Sequence, residues 1–265
     1  MTEWVTIDRD FSHSVGGGHI ASMDPSFVFI KKSDLDSANG ERGIWDSATV
    51  FDGFLGAAQT LEVVSDNIND TAAGSGARSI RVLGITPTGS TGFEIVTLNG
   101  TTIVETVNQY SFVKDLRVLS SGTTSVASLS ANGNTGIISV SAKTSGNLMN
   151  CIPAGSGISS LGANVITKGY KQFFTKLQAN ITKTGGGSNP LITFRIRVSL
   201  GAGQPFIPFF EAENDSAVSS GVTLVTPNSP AIPAIPAGAS WVLTAQTDTN
   251  NTSITGTAFT VLEKV

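Results

Sequence analysis

From Gln59 to Val265, apolar residues fall on alternate positions in runs of strand length, and nearly every run ends in a cluster of Gly, Asn, Asp, Ser or Pro. A two-residue period puts one side of each run against a core and the other toward solvent, and the frequent turns bring neighbouring runs together as antiparallel strands. This pattern predicts an all-β chain with a β-sandwich or jelly-roll-like body. In the first half, Leu61–Val64, Ser79–Ile85, Phe93–Leu98, Thr102–Thr106, Phe112–Leu119 and Gly136–Ala142 read as strands. Asn99-Gly100 lies between two of them and predicts a tight hairpin, since a primed two-residue turn needs positive φ at its centre. In the second half the candidates are Gln172–Ile181, Leu191–Val198, Pro205–Glu211, Ser240–Gln246 and Ala258–Val265. Arg195 and Arg197 alternate with Phe194, Ile196 and Val198, giving that strand one basic and one apolar face. Four prolines between Pro227 and Pro236 predict an extended crossing segment there.

At 265 residues the chain is long for one sandwich, and we expect two β units, 57–150 and 151–265, with Ile152-Pro153-Ala154-Gly155 opening the second. Charged residues make up only 14% of the chain, against about 25% in typical soluble domains, and hydroxyl and amide side chains fill the difference. With 16 basic and 20 acidic residues, net charge -4, there is no basic block to follow a phosphate backbone, so nucleic acid is not an expected partner. One cysteine, Cys151, excludes an intrachain disulfide framework; it sits in an apolar run and reads as a small buried hydrophobe. No apolar run approaches the ~20 residues of a membrane-spanning helix, and Met1-Thr2-Glu3-Trp4 does not open like a signal peptide. The expectation is a protein made in the cytoplasm that does not engage a membrane.

Residues 1–56 differ in character. They contain both histidines, two of the three tryptophans and the run Gly16-Gly17-Gly18, with one clear strand at Ser26–Lys31. The segment reads as an N-terminal arm whose aromatic residues Trp4, Phe11, Phe27, Phe29, Trp45 and Phe51 are buried against either the main body or a neighbouring subunit, the neighbour being favoured.

Little in the sequence points to chemistry. His13 and His19 lie in the glycine-rich arm, a poor mount for a catalytic triad or a zinc pair. The loops Asp66-Asn67-Ile68-Asn69-Asp70 and Asp34 to Gly40 are rich in oxygen donors, but neither has the spacing of a helix-loop-helix calcium site; turn formation explains both. Gly74-Ser75-Gly76 and Gly155-Ser156-Gly157 lack the full glycine pattern of a phosphate loop and no helix follows them. No catalytic, cofactor-binding or metal-binding residue is therefore predicted, and the chain is expected not to be an enzyme.

Asn69-Asp70-Thr71-Ala72-Ala73-Gly74-Ser75-Gly76-Ala77-Arg78-Ser79-Ile80-Arg81-Val82 and Glu94-Ile95-Val96-Thr97-Leu98-Asn99-Gly100-Thr101-Thr102 resemble a block found in uncharacterised virion structural proteins of tailed bacteriophages, especially those of marine bacteria and cyanobacteria. The likeness continues through Ile152-Pro153-Ala154-Gly155 and Asn250-Asn251-Thr252-Ser253-Ile254-Thr255-Gly256, covering roughly residues 57–265. It implies a place in the virion and no particular activity. The expected role is capsid-associated, as a cement, decoration or minor capsid subunit that stabilises the particle through protein–protein contacts. By analogy with appendages at three-fold positions, it would act as a homotrimer among other virion proteins. The alternative is a tail or fibre component that binds a receptor glycan, with a carbohydrate-active tip enzyme as a third reading.

Overall fold

The computed structural model describes residues 23–47, 50–122, 133–183, 190–201, 203–215, 222–224 and 234–265. The described chain is all β, with a single 3-10 turn at Ser37–Asn39. The strands are β1 (Met23–Leu35), β2 (Arg42–Gly43), β3 (Gln59–Ser65), β4 (Ala77–Ile85), β5 (Thr91–Thr97), β6 (Val104–Tyr110), β7 (Phe112–Ser121) and β8 (Ile138–Ala142). They continue as β9 (Leu148–Ile152), β10 (Ala163–Val165), β11 (Tyr170–Lys183), β12 (Leu191–Ser199), β13 (Ile207–Asp215), β14 (Val222–Leu224), β15 (Ser240–Thr247) and β16 (Thr252–Lys264).

These strands form four antiparallel sheets that pack in pairs as two sandwiches. In the first, sheet β6-β3-β8-β9 faces sheet β5-β4-β7. Leu61 and Val63, Ile80 and Val82, Leu116, Ile138 and Val140 share its core. In the second, sheet β1-β16-β11-β14 faces sheet β10-β15-β12-β13, to which β2 adds through β15. Ile30, Leu177, Phe194, Ile196, Trp241, Leu243 and Ala258 fill that core. The predicted alternation holds along β12, where Ile192, Phe194, Ile196 and Val198 are buried while Arg195 and Arg197 face outward. One polar network crosses the second core. Fully buried Gln172 accepts from the Trp241 indole at 2.8 Å and from the Asn164 amide at 3.2 Å, and donates to the Thr260 hydroxyl at 2.7 Å. Each buried amide group thus finds a partner, and Trp241 is held in one orientation.

Three expectations need correction. Residues 1–56 do not form a separate arm throughout: Met23–Leu35 is the edge strand of the second sandwich, paired antiparallel with β16 from Met23 opposite Glu263 to Leu35 opposite Thr252. Buried Ile30 and Leu35, with half-buried Val28 against them, explain why it belongs there, since they complete a core the C-terminal strands leave open. The unit boundary also moves. β9 crosses the expected break at 150/151 and pairs with β8, and beyond it Ser159 donates its N–H to Leu116 O, so the first sandwich retains the chain past Ile152-Pro153-Ala154-Gly155.

Asn99-Gly100 is not a hairpin tip. β5 pairs with β4 and β6 pairs with β3, so the turn carries the chain from one sheet of the first sandwich to the other. The Thr102 N–H closes it on Asn99 O, which centres the turn on Gly100 and Thr101, and only Gly100 has positive φ, at 60°. The Gly100 N–H donates to Asp70 O, which ties the turn to the Asp66–Asp70 loop.

That loop is organised by a buried carboxylate. Asp70 is 0% exposed; its Oδ1 accepts from the N–H groups of Ala77 (2.7 Å) and Thr135 (2.8 Å), and its Oδ2 from the Ser65 hydroxyl (2.7 Å) and the Gly136 N–H (2.8 Å). Asp66 Oδ1 accepts from the Ile137 N–H and Asn67 Oδ1 from the Asn69 N–H. These oxygens satisfy backbone donors from three chain segments, which fits the turn-forming reading of the loop. An Asp70→Asn protein should lose about 2–4 kcal/mol of stability, because an amide NH2 must face two donors on one side of the group. Urea unfolding measures this, and an unchanged midpoint would show that the carboxylate does not hold the loop.

Candidate interaction surfaces

The two sandwiches meet at a third apolar cluster of Trp45, Ile85, Phe112, Cys151, Leu161 and Ala163. Phe51 and Phe54 extend it: Phe51 stands edge-on to Trp45 with ring centroids 5.3 Å apart, and Phe54 stacks on Phe112 at 5.3 Å. Trp45, 1% exposed, and half-buried Phe51 therefore pack within their own chain, contrary to the expectation that they meet a neighbour. Their rings cover the seam between the sandwiches, where apolar ends of β4, β7 and β9 would otherwise face water. Trp4 and Phe11 lie outside the described residues, as do His13 and His19. Of the six aromatic candidates, Phe27 and Phe29 remain outward-facing, and the structure brings them together on β1. Phe27 meets Phe259 edge-on at 5.5 Å, and the Lys176 ammonium covers the other side of that neighbourhood, 5.6 Å from the Phe259 ring.

Among the described residues, two concavities are lined by residues of both sandwiches. The larger, about 1240 Å³, lies beside the junction and is lined by Phe54, Phe206, Lys168, Ser240, Arg197 and Glu41 among others. One wall is a matched charge network. The Glu41 carboxylate takes both Nε and Nη2 of Arg197 at 2.5 Å and Nη1 of Arg195 at 3.2 Å, and accepts the Thr244 hydroxyl. Arg195 also donates to Glu211 at 2.6 Å. The bidentate Arg197 bonds hold the Glu41 carboxyl below its ordinary value against the opposing effect of burial, while Glu41 pushes the Arg197 guanidinium upward and Glu211 does the same for Arg195. A carboxylate locked this way is a brace for the outer face of β12 and a poor proton carrier.

The smaller concavity, about 230 Å³, runs between the β1 edge and the outer face of β4 and β7, with Phe27, Phe29, Leu83, Lys114, Asp115 and Arg117 along it. Lys114 is placed there by a bulge: the β4–β7 register jumps between Leu83 and Gly84, leaving Lys114 as the extra residue on β7. Bulges re-aim side chains, and this one turns the ammonium into the seam, where it donates to the Thr167 hydroxyl at 2.9 Å. Among the described residues no carboxylate forms an ion pair with it. Arg81 and Arg117 flank Asp115, at 2.7 and 4.0 Å. Nothing in the sequence marked Lys114, because a bulge is a register event that no residue pattern announces.

The Cys151 thiol, behind the seam, is buried as expected, and burial pushes it up to about 11. It stays protonated at neutral pH, so it is a weak nucleophile. No protein-family model matches the chain, and no curated protein matches it. Among solved structures, the infectious bursal disease virus Gt strain particle aligns with 96% of this chain and 78% of that one at 11% identity and a TM-score of 0.22. The mavirus penton protein aligns with 91% of this chain and 100% of that one at 8% identity and a TM-score of 0.17. At these values the likenesses carry no argument about role.

Burial pushes the Lys114 ammonium down to about 8 from an ordinary 10.5. Between those values the folded protein binds fewer protons than the unfolded chain, so the cost of burying the charge is fully present below pH 8 and relieved as pH rises toward 10.5. Lys114→Met should be more stable than the parent at pH 7 by roughly 1–3 kcal/mol, discounted for partial exposure, with the advantage shrinking toward pH 10. The thiol of Cys151 titrates alike in both proteins and cancels in the difference. Urea melts of the pair across this pH range test the claim; a difference that stays constant would show that the ammonium carries no burial penalty.

Proposed function

We propose that this protein is a virion structural component, capsid-associated as a cement, decoration or minor capsid subunit, that acts without catalysis by binding its own copies and other virion proteins. The observation that carries the reading is the distribution of outward apolar side chains. Phe27 and Phe29 stand on the edge strand β1, Phe93 and Ile95 on the edge strand β5, and Val107 on β6. Apolar side chains concentrated on edges and outer sheet faces belong to chains that other chains cover. The likeness of Asn69–Val82 and Glu94–Thr102 to tailed-phage structural proteins supports a place in a phage particle, and the architecture explains what that block does. It supplies Asp70 and the turn at Gly100, which lock the loops at one end of the first sandwich.

The non-catalytic part of the reading is supported by how the described acids and the thiol are engaged. Asp66 and Asp70 hold backbone, Glu41 holds arginines, and Cys151 is buried and protonated. A tail or fibre role with glycan binding is the second reading. Its support is the larger cleft, which Phe54 and Phe206, with centroids 5.0 Å apart, line together with Thr86, Ser111 and Ser240. Cryo-electron microscopy of purified particles decides between them, with shell density expected and tail density favouring the second. The soluble protein should scatter light at micromolar concentration as an oligomer, a trimer by analogy with three-fold appendages. A stable monomer would sink the self-association claim, and release of reducing sugar from host polysaccharide would sink the non-catalytic one.

A further inference from the structure

Several outward apolar residues of the two sandwiches lie together. Leu83 lies in the groove beside Phe27 and Phe29, and Phe93 is its direct cross-strand partner on β5, with Ile95 opposite Arg81 one step along the same face. Directly opposed residues in an antiparallel pair point to the same side. Phe27, Phe29, Leu83, Phe93 and Ile95 therefore make one apolar strip that starts on the second sandwich and ends on the first. The four residues at its ends are 57%, 52%, 62% and 57% exposed.

Two further properties narrow what covers this strip. β1 is the outermost strand of its sheet and, among the described residues, pairs with β16 alone, so its other edge offers unpaired backbone N–H and C=O groups. An extended chain is the natural partner of such an edge. The groove is also basic: Lys114 and Arg117 line it and Arg81 stands beside it, against the single carboxylate of Asp115. An apolar, acidic segment laid out as a strand fits, and the sequence offers a candidate outside the described residues. Glu3-Trp4-Val5-Thr6-Ile7-Asp8-Arg9-Asp10-Phe11 carries apolar residues through its length and three acids against one base. It precedes β1, whose first residue, Met23, lies near the groove at Ser26–Phe29.

We propose that the groove between β1 and the outer face of β4 and β7 receives residues 3–11 of a neighbouring copy of this chain, adding a strand to β1 and seating apolar side chains against Phe27, Phe29 and Leu83. Entry from a neighbour needs no reversal of the chain before β1, and it supplies acids to Lys114, which has no carboxylate partner among the described residues, and to Arg117, which shares Asp115 with Arg81. The inference gives a mechanism to the self-association proposed above, but it does not depend on the particle. The protein can be absent from virions and still dock this way.

The test uses full-length protein. Ile7→Cys and Leu83→Cys variants are mixed and treated with a short bis-maleimide; Cys151, buried and protonated, stays silent. A covalent dimer should form in the mixture well above the level given by either variant alone. Adding Asp8→Lys and Asp10→Lys to the first variant should cut its yield by about tenfold, and adding Arg117→Glu to the second should restore it, since opposed charges across a contact discriminate by this order. Arg117 is exposed, so that change leaves the fold intact, with the melting temperature as the check. No dimer in the mixture, or a dimer indifferent to the charge changes, overturns the proposal. Linkage confined within single chains of an Ile7→Cys/Leu83→Cys double variant would place the segment on its own groove and overturns it equally.

Discussion

The aromatic seam at Trp45, Phe112, Phe51 and Phe54 determines the rest of the architecture. Each sandwich has a core of its own, and without the seam the two would be joined by chain connections and a few hydrogen bonds, among them Lys114 and Thr91 to Thr167 and the Lys168 N–H to Gly89 O. With it, the outer face of one sandwich stands at a fixed place beside an edge of the other. Both concavities follow from that placement, and so does the continuity of the apolar strip across two units that fold around separate cores. The rings that close the seam come from the segment just after β2, a stretch whose aromatic content reads in sequence as surplus.

Most strands are legible in the sequence because each has one buried face, and burial on alternate residues leaves a period of two wherever it occurs. Leu191–Ser199 is the clearest case, and Ser240–Thr247 and Tyr170–Lys183 follow the same rule. What the sequence hides is partnership. Asn99-Gly100 bears the local signature of a hairpin, but Val96 and Leu98 on one side and Tyr110 on the other face the same core from opposite sheets. The turn therefore crosses the core where a hairpin would have stayed on one face. Met23–Leu35 looks like an arm because its partner, β16, is at the other end of the chain, and no local pattern encodes so distant a pairing. The groove was half visible: Phe27 and Phe29 stand out as aromatics, whereas Lys114, Leu83 and Phe93 join them only through sheet register.

Low charge leaves this protein with few lysines to guard its strand edges, and it uses other devices. Glu94, on the edge strand β5, accepts from the N–H groups of Val107 and Asn108 at 2.8 and 2.9 Å, closing one rim of the first sandwich with a single carboxylate. The edge strand β13 carries Pro208 and a bulge between the positions opposite Ile196 and Arg197, both of which discourage a further strand. β1 has its proline, Pro25, near its start, ahead of the exposed phenylalanines. β1 thus carries neither device along its exposed phenylalanines.

The pairing of β1 with β16 also fixes how the molecule bears load. Met23 and Glu263 face each other at one end of this ladder, and Leu35 and Thr252 at the other. Tension between the segment before Met23 and the residues after Glu263 meets the ladder end-on and opens it one bond at a time, the geometry of a zip, which yields at low force. Tension between the segment before Met23 and β15, entered through Thr252, pulls β1 and β16 in opposite senses and stresses the whole ladder in parallel, as a lap joint does. The same strand is therefore weak in one direction and strong in the other. A tether anchored through residues before β1 holds best when its pull is passed through Thr252 into the facing sheet of the same sandwich.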